Sequence, residues 1–112
     1  MRRGEIYYAD LSPTVGSEIN KRCPVLIVSN DANNRASSTV TVLPITSNVT
    51  RVFPFEVLLP SGKTGLPKES KALAQQIRTI SKERLLAGRA GVLDTALMKA
   101  VDAAIRLHLA LS

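Results

Sequence analysis

The chain of 112 residues contains one cysteine, Cys23, and one histidine, His108. A single cysteine excludes an intrachain disulfide, and the two residues together cannot supply the four ligands of a zinc cage, so packing must hold the fold. The same scarcity excludes a His pair and leaves a Ser/His/Asp triad or a Cys/His pair with only one histidine, near the C-terminus, to draw on. Any catalysis is therefore expected to run without ordinary imidazole chemistry. Tryptophan is absent, and Tyr7, Tyr8, Phe53 and Phe55 are all the aromatics; with so few, the core is expected to claim most of them. No apolar run approaches the ~18 to 20 residues of a membrane span. Met1, Arg2 and Arg3 lead into Gly4 and Glu5 without the apolar stretch of a secretory signal, which predicts a cytoplasmic protein. No repeat or low-complexity tract interrupts the chain, and at ~100 to 200 residues per domain its length predicts one domain spanning residues 1–112.

What is present is a core-forming composition, with 45% hydrophobic residues and 21% charged residues, and a mean hydropathy of +0.08. The net charge is +6, distributed as +1 over residues 1–56 and +5 over residues 57–112. Lys63, Lys68, Lys71, Arg78, Lys82, Arg84 and Arg89 face only Glu69 and Glu83 in the densest stretch. Such a surface attracts a polyanion such as nucleic acid, although a basic face that merely solvates the protein has the same composition.

Local patterns predict short strands followed by a helix. Gly4 to Leu11 carries β-favouring Ile6, Tyr7 and Tyr8 before the Ser12-Pro13 turn signal. Residues 12–24 lack an apolar period and read as a long loop, of a length that is usually functional or mobile in so small a domain. Val25 to Ser29 is expected as a buried strand, and Asn30 to Arg35 as a turn or short helical turn. Ser38 to Ile45 alternates like a half-buried strand, with Pro44 suggesting an edge or a bulge. Further strands are expected at Phe55–Leu59, at Lys71–Ile77 running into Arg78-Thr79, and at Gly88–Leu93. Pro60–Pro67 reads as a turn, and Ser81–Leu85 as one helical turn. Asp94 is a helix cap, and Leu97, Val101, Ile105 and Leu109 form an apolar stripe behind it. The fold class that follows is mostly β with α: a strongly curved antiparallel sheet of the small-barrel kind with one long C-terminal helix packed on it.

Five blocks then match in order along essentially the whole chain. Gly4-Glu5-Ile6-Tyr7 with Ala9-Asp10-Leu11, Gly16-Ser17-Glu18, Pro24-Val25-Leu26-Ile27-Val28-Ser29-Asn30, Pro44-Ile45-Thr46-Ser47, and Gln76-Ile77-Arg78-Thr79-Ile80 with Arg84-Leu85 resemble the MazF/PemK toxins of bacterial toxin–antitoxin systems. The resemblance implies an SH3-like small β-barrel with a long C-terminal helix, of the CcdB/MazF type, and a homodimer. It also implies a sequence-specific, metal-independent endoribonuclease that takes single-stranded RNA or mRNA and needs no cofactor. The implied partner is a cognate MazE-like antitoxin whose acidic tail fills the RNA groove.

Such a site needs little from the protein, because RNA carries its own nucleophile. The 2′-hydroxyl attacks the adjacent phosphorus and expels the 5′-oxygen, leaving a 2′,3′-cyclic phosphate and a 5′-hydroxyl. An arginine fork stabilises the phosphate oxygens as they gain charge, and a threonine hydroxyl donates one more hydrogen bond. In the family that pair is an arginine directly before the proline of the second strand and a threonine in the Pro-Ile-Thr-Ser block. The threonine is Thr46. The arginine position is occupied by Cys23, with Arg22 one residue earlier. Three readings stand open: Arg22 reaches in with its long stem, although neighbours in an extended chain point oppositely; Cys23 leaves the site weak or dead; or an arginine was exchanged for cysteine when a toxic gene was propagated without its antitoxin.

Gly16, Ser17, Glu18, Asn20, Lys21, Ser47, Asn48, Gln76 and Arg78 are further RNA-contact candidates. Gln76 and Arg78, taken as alternating on one strand face, suit base-edge or phosphate contact, or equally a solvated face. Glu18 either orients the arginine or pairs with Lys21 or Arg22. Cys23 as a nucleophile, activated by Lys21 and Arg22, competes with the commoner reading of an inert small hydrophobe. His108 reads as an ordinary helix residue. Two other functions remain: a non-catalytic RNA-binding barrel, which Cys23 keeps open, and a CcdB-like gyrase-binding toxin, whose C-terminal tryptophan-glycine-isoleucine has no counterpart in Leu109-Ala110-Leu111-Ser112.

Overall fold

The computed structural model describes residues 1–13, 15–17 and 22–112. Seven strands, β1 (Glu5–Asp10), β2 (Arg22–Ile27), β3 (Thr39–Thr46), β4 (Glu56–Leu59), β5 (Ser70–Leu73), β6 (Arg78–Ser81) and β7 (Gly91–Val92), form an antiparallel half-barrel. Their order is β4-β5-β3-β2-β1-β7, with β6 also on β3. A short helix α1 (Asp31–Ala36) follows β2, and the long helix α2 (Thr95–Leu109) closes the described chain.

Strand alternation divides the core into two faces. Ile6, Leu26, Val28, Leu43 and Ile45 pack with Val57, Leu59, Ala72 and the α2 residues Val101 and Ala104. Ala9, Leu11, Cys23, Val25, Ile27, Val40 and Val42 pack with Ile80 on the other side. The two clusters are built almost entirely from aliphatic side chains, with Cys23 the exception. None of the four aromatics is buried, Tyr8 and Phe53 being 39% and 40% exposed, so the expectation that the core claims most of them is corrected.

β3 organises the sheet. Along one edge it pairs with β2, Leu26 opposite Leu43 and Val25 opposite Pro44. Along the other it serves β6 as far as Val42 opposite Arg78, then β5 from Ile45 opposite Ala72. Pro44 lies on this interior strand rather than at a sheet edge, and it falls in the interval between the two partners, where its missing N–H disrupts no ladder. The same handover breaks the strand expected at Lys71–Ile77: β5 stops at Leu73, a 3-10 turn covers Ala74–Gln76, and β6 starts at Arg78. Gln76 and Arg78 therefore do not share a strand face. The loop expected over residues 12–24 is also shorter than its reading, because Arg22, Cys23 and Pro24 already pair with β1.

Helix signals translate directly. The Asn30 side chain accepts the Asn33 N–H at 2.8 Å and starts α1, and the Asp94 carboxylate accepts the Leu97 N–H at 2.8 Å and starts α2. Val101 is fully buried, and Leu97, Met98 and Ile105 pack beside it. Leu109 is 46% exposed, because a strict four-residue spacing drifts by ~40° per step around a helix of 3.6 residues per turn. β7 touches the 62–66 turn so closely that a Cβ on Gly91 would lie 1.9 Å from the Thr64 carbonyl oxygen. Among the described residues, no helix is long and apolar enough to cross a membrane.

Candidate active site

A cleft of about 320 Å³ opens where β2 begins and β3 ends, beside the segment leading into β5. It is lined by Tyr8 of β1, by Arg22, Cys23 and Pro24 of β2, by Ile45, Thr46 and Ser47 at the end of β3, and by Leu66, Pro67, Lys68 and Ser70. Tyr8 sits in register with Pro24, and Thr46 with Lys71. Pairing with β5 on one side fixes the backbone at Thr46, the last residue of β3, which suits a group that must hold its direction.

Alternation separates Arg22 from Cys23, the residue at the family's arginine position. Arg22 and Pro24 belong to the face of Leu26, whereas Cys23 belongs to the face of Val25 and packs in the second core cluster. Both reach the cleft because it opens at strand ends. Arg22 is exposed there, and Thr46 is half-buried. Cys23 is only 8% exposed. Burial pushes its thiol up to about 11, against the opposing pull of the Ile45 backbone N–H and the Arg78 charge. It is a protonated, neutral group at physiological pH, which removes the basis for a nucleophilic Cys23.

The Thr46 hydroxyl accepts the Asn48 N–H at 3.2 Å, and the Asn48 side chain accepts the Thr50 N–H at 3.3 Å. Ser47 lines the cleft, while Asn48 contributes by shaping the loop behind it. Gly16 and Ser17 form an exposed turn, with φ +64° at Gly16, and neither lines the cleft. Gln76 and Arg78 do not line it either. Glu18, Asn20 and Lys21 lie outside the described residues.

Tyr8, Pro24 and the wall from Leu66 to Ser70 were not singled out from sequence as site residues. Lys68 carried a signal, its place in the basic stretch, but that stretch does not form one uniform anion-binding surface. Lys71 pairs with Glu56 at 2.9 Å, Arg89 with Glu5 at 3.2 Å. The Lys82 ammonium donates to the Asn34 carbonyl at 2.6 Å. Arg84 donates to the carbonyls of Asp10 and Ser12 at 3.0 and 2.7 Å. Four of the seven cations thus hold the fold, and Lys68 is the one that lines the cleft.

A half-barrel of short antiparallel strands and a C-terminal helix frame a cleft whose lining includes the Thr46 hydroxyl and two cations, Arg22 and Lys68, groups chemically suited to a phosphate-bearing ligand. A family model described as PemK-like, MazF-like toxin of type II toxin-antitoxin system matches residues 2–109, and the chain belongs to that family. Endoribonuclease MazF9 of Mycobacterium tuberculosis is 46% identical over 114 residues, covering 97% of this chain and 96% of the relative. Endoribonuclease EndoA of Bacillus subtilis is 41% identical over 112 residues, covering 99% and 96%. Among solved structures, an endoribonuclease in complex with its cognate antitoxin from Mycobacterial species superposes with a TM-score of 0.82 at 28% identity, covering 100% of this chain and 97% of that one. MazF from Deinococcus radiodurans, at 22% identity and covering 99% and 97%, shares the fold with a TM-score of 0.85. Membership of this family sets aside the gyrase-binding alternative.

Proposed function

We propose that the chain, acting as one toxin domain in the cytoplasm, is a metal-independent endoribonuclease of a type II toxin–antitoxin pair, with its turnover limited by Cys23. The observation that carries the reading is the convergence of Thr46, Arg22 and Lys68 on one cleft. Single-stranded RNA enters with a phosphate at the strand ends. Arg22 and Lys68, the two cations among the described lining residues, hold its non-bridging oxygens, and the Thr46 hydroxyl donates to an oxygen that gains charge as the 2′-hydroxyl attacks. The bond from phosphorus to the 5′-oxygen breaks as the one from the 2′-oxygen forms, giving a cyclic phosphate and a 5′-hydroxyl. Cys23 supplies bulk and no charge at the position where the family carries arginine. Ser47 flanks the phosphate, and Asn48 holds the Thr46 loop. Gly16, Ser17, Glu18, Asn20, Lys21, Gln76 and Arg78 remain candidates for contacts further along the strand.

The functional assembly is a homodimer. Leu58 on β4, Phe53 before it, and Leu107 and Leu109 on α2 are all exposed by 40% or more, and α2 packs along β4, so a second copy has an apolar surface to cover. A cognate antitoxin with an acidic tail silences the protein by occupying the cationic cleft in place of RNA.

The decisive experiment incubates the protein and its Cys23→Arg variant with a long unstructured RNA in EDTA and maps the ends. Discrete cuts with cyclic phosphate ends, at least tenfold faster in Cys23→Arg, are expected. Equal rates would remove Cys23 as the limiting group, and binding without cuts by either protein would replace the nuclease by an RNA-binding barrel.

A further inference from the structure

The described core contains two charged residues, Glu56 at 7% and Lys71 at 9% exposure. They are partners, with the Lys71 ammonium 2.9 Å from one Glu56 oxygen. Lys71 also lies in register with Thr46, one strand away. The pair is tied into the loop that follows Thr46. The ammonium donates to the Arg51 carbonyl at 2.5 Å, and the Phe53 N–H donates to the same Glu56 oxygen at 3.0 Å. The second Glu56 oxygen accepts the Gln75 amide at 2.6 Å. The Gln75 carbonyl oxygen is buried without a partner among the described residues, so the amide is held through its NH₂ end alone. Burial by itself would raise the Glu56 carboxyl, but the Lys71, Phe53 and Gln75 donors outweigh it and hold it below its ordinary value.

Residues 47–55 are thus anchored at both ends. Near Thr46 the loop is held by the Thr46 hydroxyl and the Asn48 side chain, and further on by backbone groups of Arg51 and Phe53 on a buried ion pair. A buried pair contributes little net stability, yet its charge-assisted bonds are strict about geometry. The 47–55 loop otherwise exposes Ser47, Asn48 and residues 50–54, and has little apolar burial with which to fix its own path. We infer that Glu56 and Lys71 are positioning residues for RNA cleavage: their ion pair orders the 47–55 loop and so sets the direction of the Thr46 hydroxyl and of Ser47 in the cleft. This rests on the role proposed for Thr46.

The test uses the double variant Glu56→Gln/Lys71→Met, which removes both charges together and avoids leaving one buried and unpaired. Each variant is made in the parental chain and in Cys23→Arg. Amide hydrogen exchange at Asn48, Thr50 and Phe53 is expected to accelerate at least tenfold, with the core strands unchanged. kcat is expected to fall by about 10²-fold, the order that a displacement of ~1 Å produces, while binding of a non-cleavable 2′-deoxy oligonucleotide stays within about threefold. Lys71→Arg, which keeps the charge, is expected to retain kcat within about fivefold. Unchanged exchange in the loop, or faster exchange with unchanged kcat, overturns the proposal. Equal losses in kcat from Lys71→Arg and the double variant overturn it too. A Thr46→Val variant separates the two ideas: full cleavage there means that the Thr46 role has failed, whereas the exchange measurement still decides whether the pair orders the loop.

Discussion

Cys23 and Arg22 are adjacent in sequence and opposite in physics. Arg22 is exposed at the cleft mouth, while Cys23 is buried against Val25 and carries a thiol pushed up to about 11 from an ordinary 9.0. That difference corresponds to about a hundredfold less thiolate near neutral pH, before limited access is considered. The folded protein is therefore expected to react with a soluble disulfide reagent at pH 8 at least a hundredfold more slowly than the same chain unfolded in guanidinium, with Cys23 as the only thiol scored. Rapid labelling of the folded form would mean that the side chain is open and ionised, and would restore it as a candidate nucleophile. The alternation that separates the two residues was legible in the sequence, since extended neighbours point oppositely. How deeply Cys23 is buried was not, because that depends on Val42 and Ile80, which arrive from strands far along the chain.

Elements were legible where the signal was local. The Asp94 cap and the apolar period of residues 97–105 define α2 on local grounds alone, and the same period shows where it goes wrong, at Leu109. Val101 is fully buried and Leu109 is 46% exposed, so the two should respond differently to truncation. Val101→Ala removes two buried methyl groups and is expected to cost ~2 kcal/mol, at ~0.8 kcal/mol per buried methylene plus a small cavity term. Leu109→Ala in the monomer is expected to stay within about 0.5 kcal/mol of the parent. Urea unfolding at low protein concentration checks both. Similar costs would put Leu109 back in the core stripe. The break between β5 and β6 carried no such local mark. Residues 71–77 contain neither glycine nor proline, and the strand stops because β3 changes partner there and because Gln75 turns to meet Glu56. The cleft wall from Leu66 to Ser70 was hidden for the same reason: nothing in a turn's own sequence says which strand ends it will face. Thr46 is a third case, a strand-end residue that stood out only through the likeness of its block to a known family.

Across the whole molecule, the +6 net charge is a poor guide to where an anion sits. Half the chain carries most of the excess, but Lys71, Lys82, Arg84 and Arg89 in its densest stretch hold carboxylates and carbonyls of the protein itself. The cations left to meet a polyanion are fewer than the composition suggests, with Lys68 the one of that stretch that lines the cleft, and counterion release makes this measurable. Each phosphate contact on a single strand contributes about −0.7 to the slope of log K against log salt. Binding of a non-cleavable 2′-deoxy oligonucleotide, followed from 50 to 300 mM salt, should give a slope of about −1.4, the two contacts of Arg22 and Lys68, rather than the roughly −5 of a uniformly engaged basic stretch. Lys68→Ala should make the slope shallower by about 0.7, since its ammonium is placed at the cleft. Lys82→Ala should leave the slope unchanged and lower the melting temperature instead, because its ammonium is engaged with the Asn34 carbonyl. If both variants change the slope equally, RNA spreads over the basic face as a whole, and the cleft loses its claim to be where the phosphate is held.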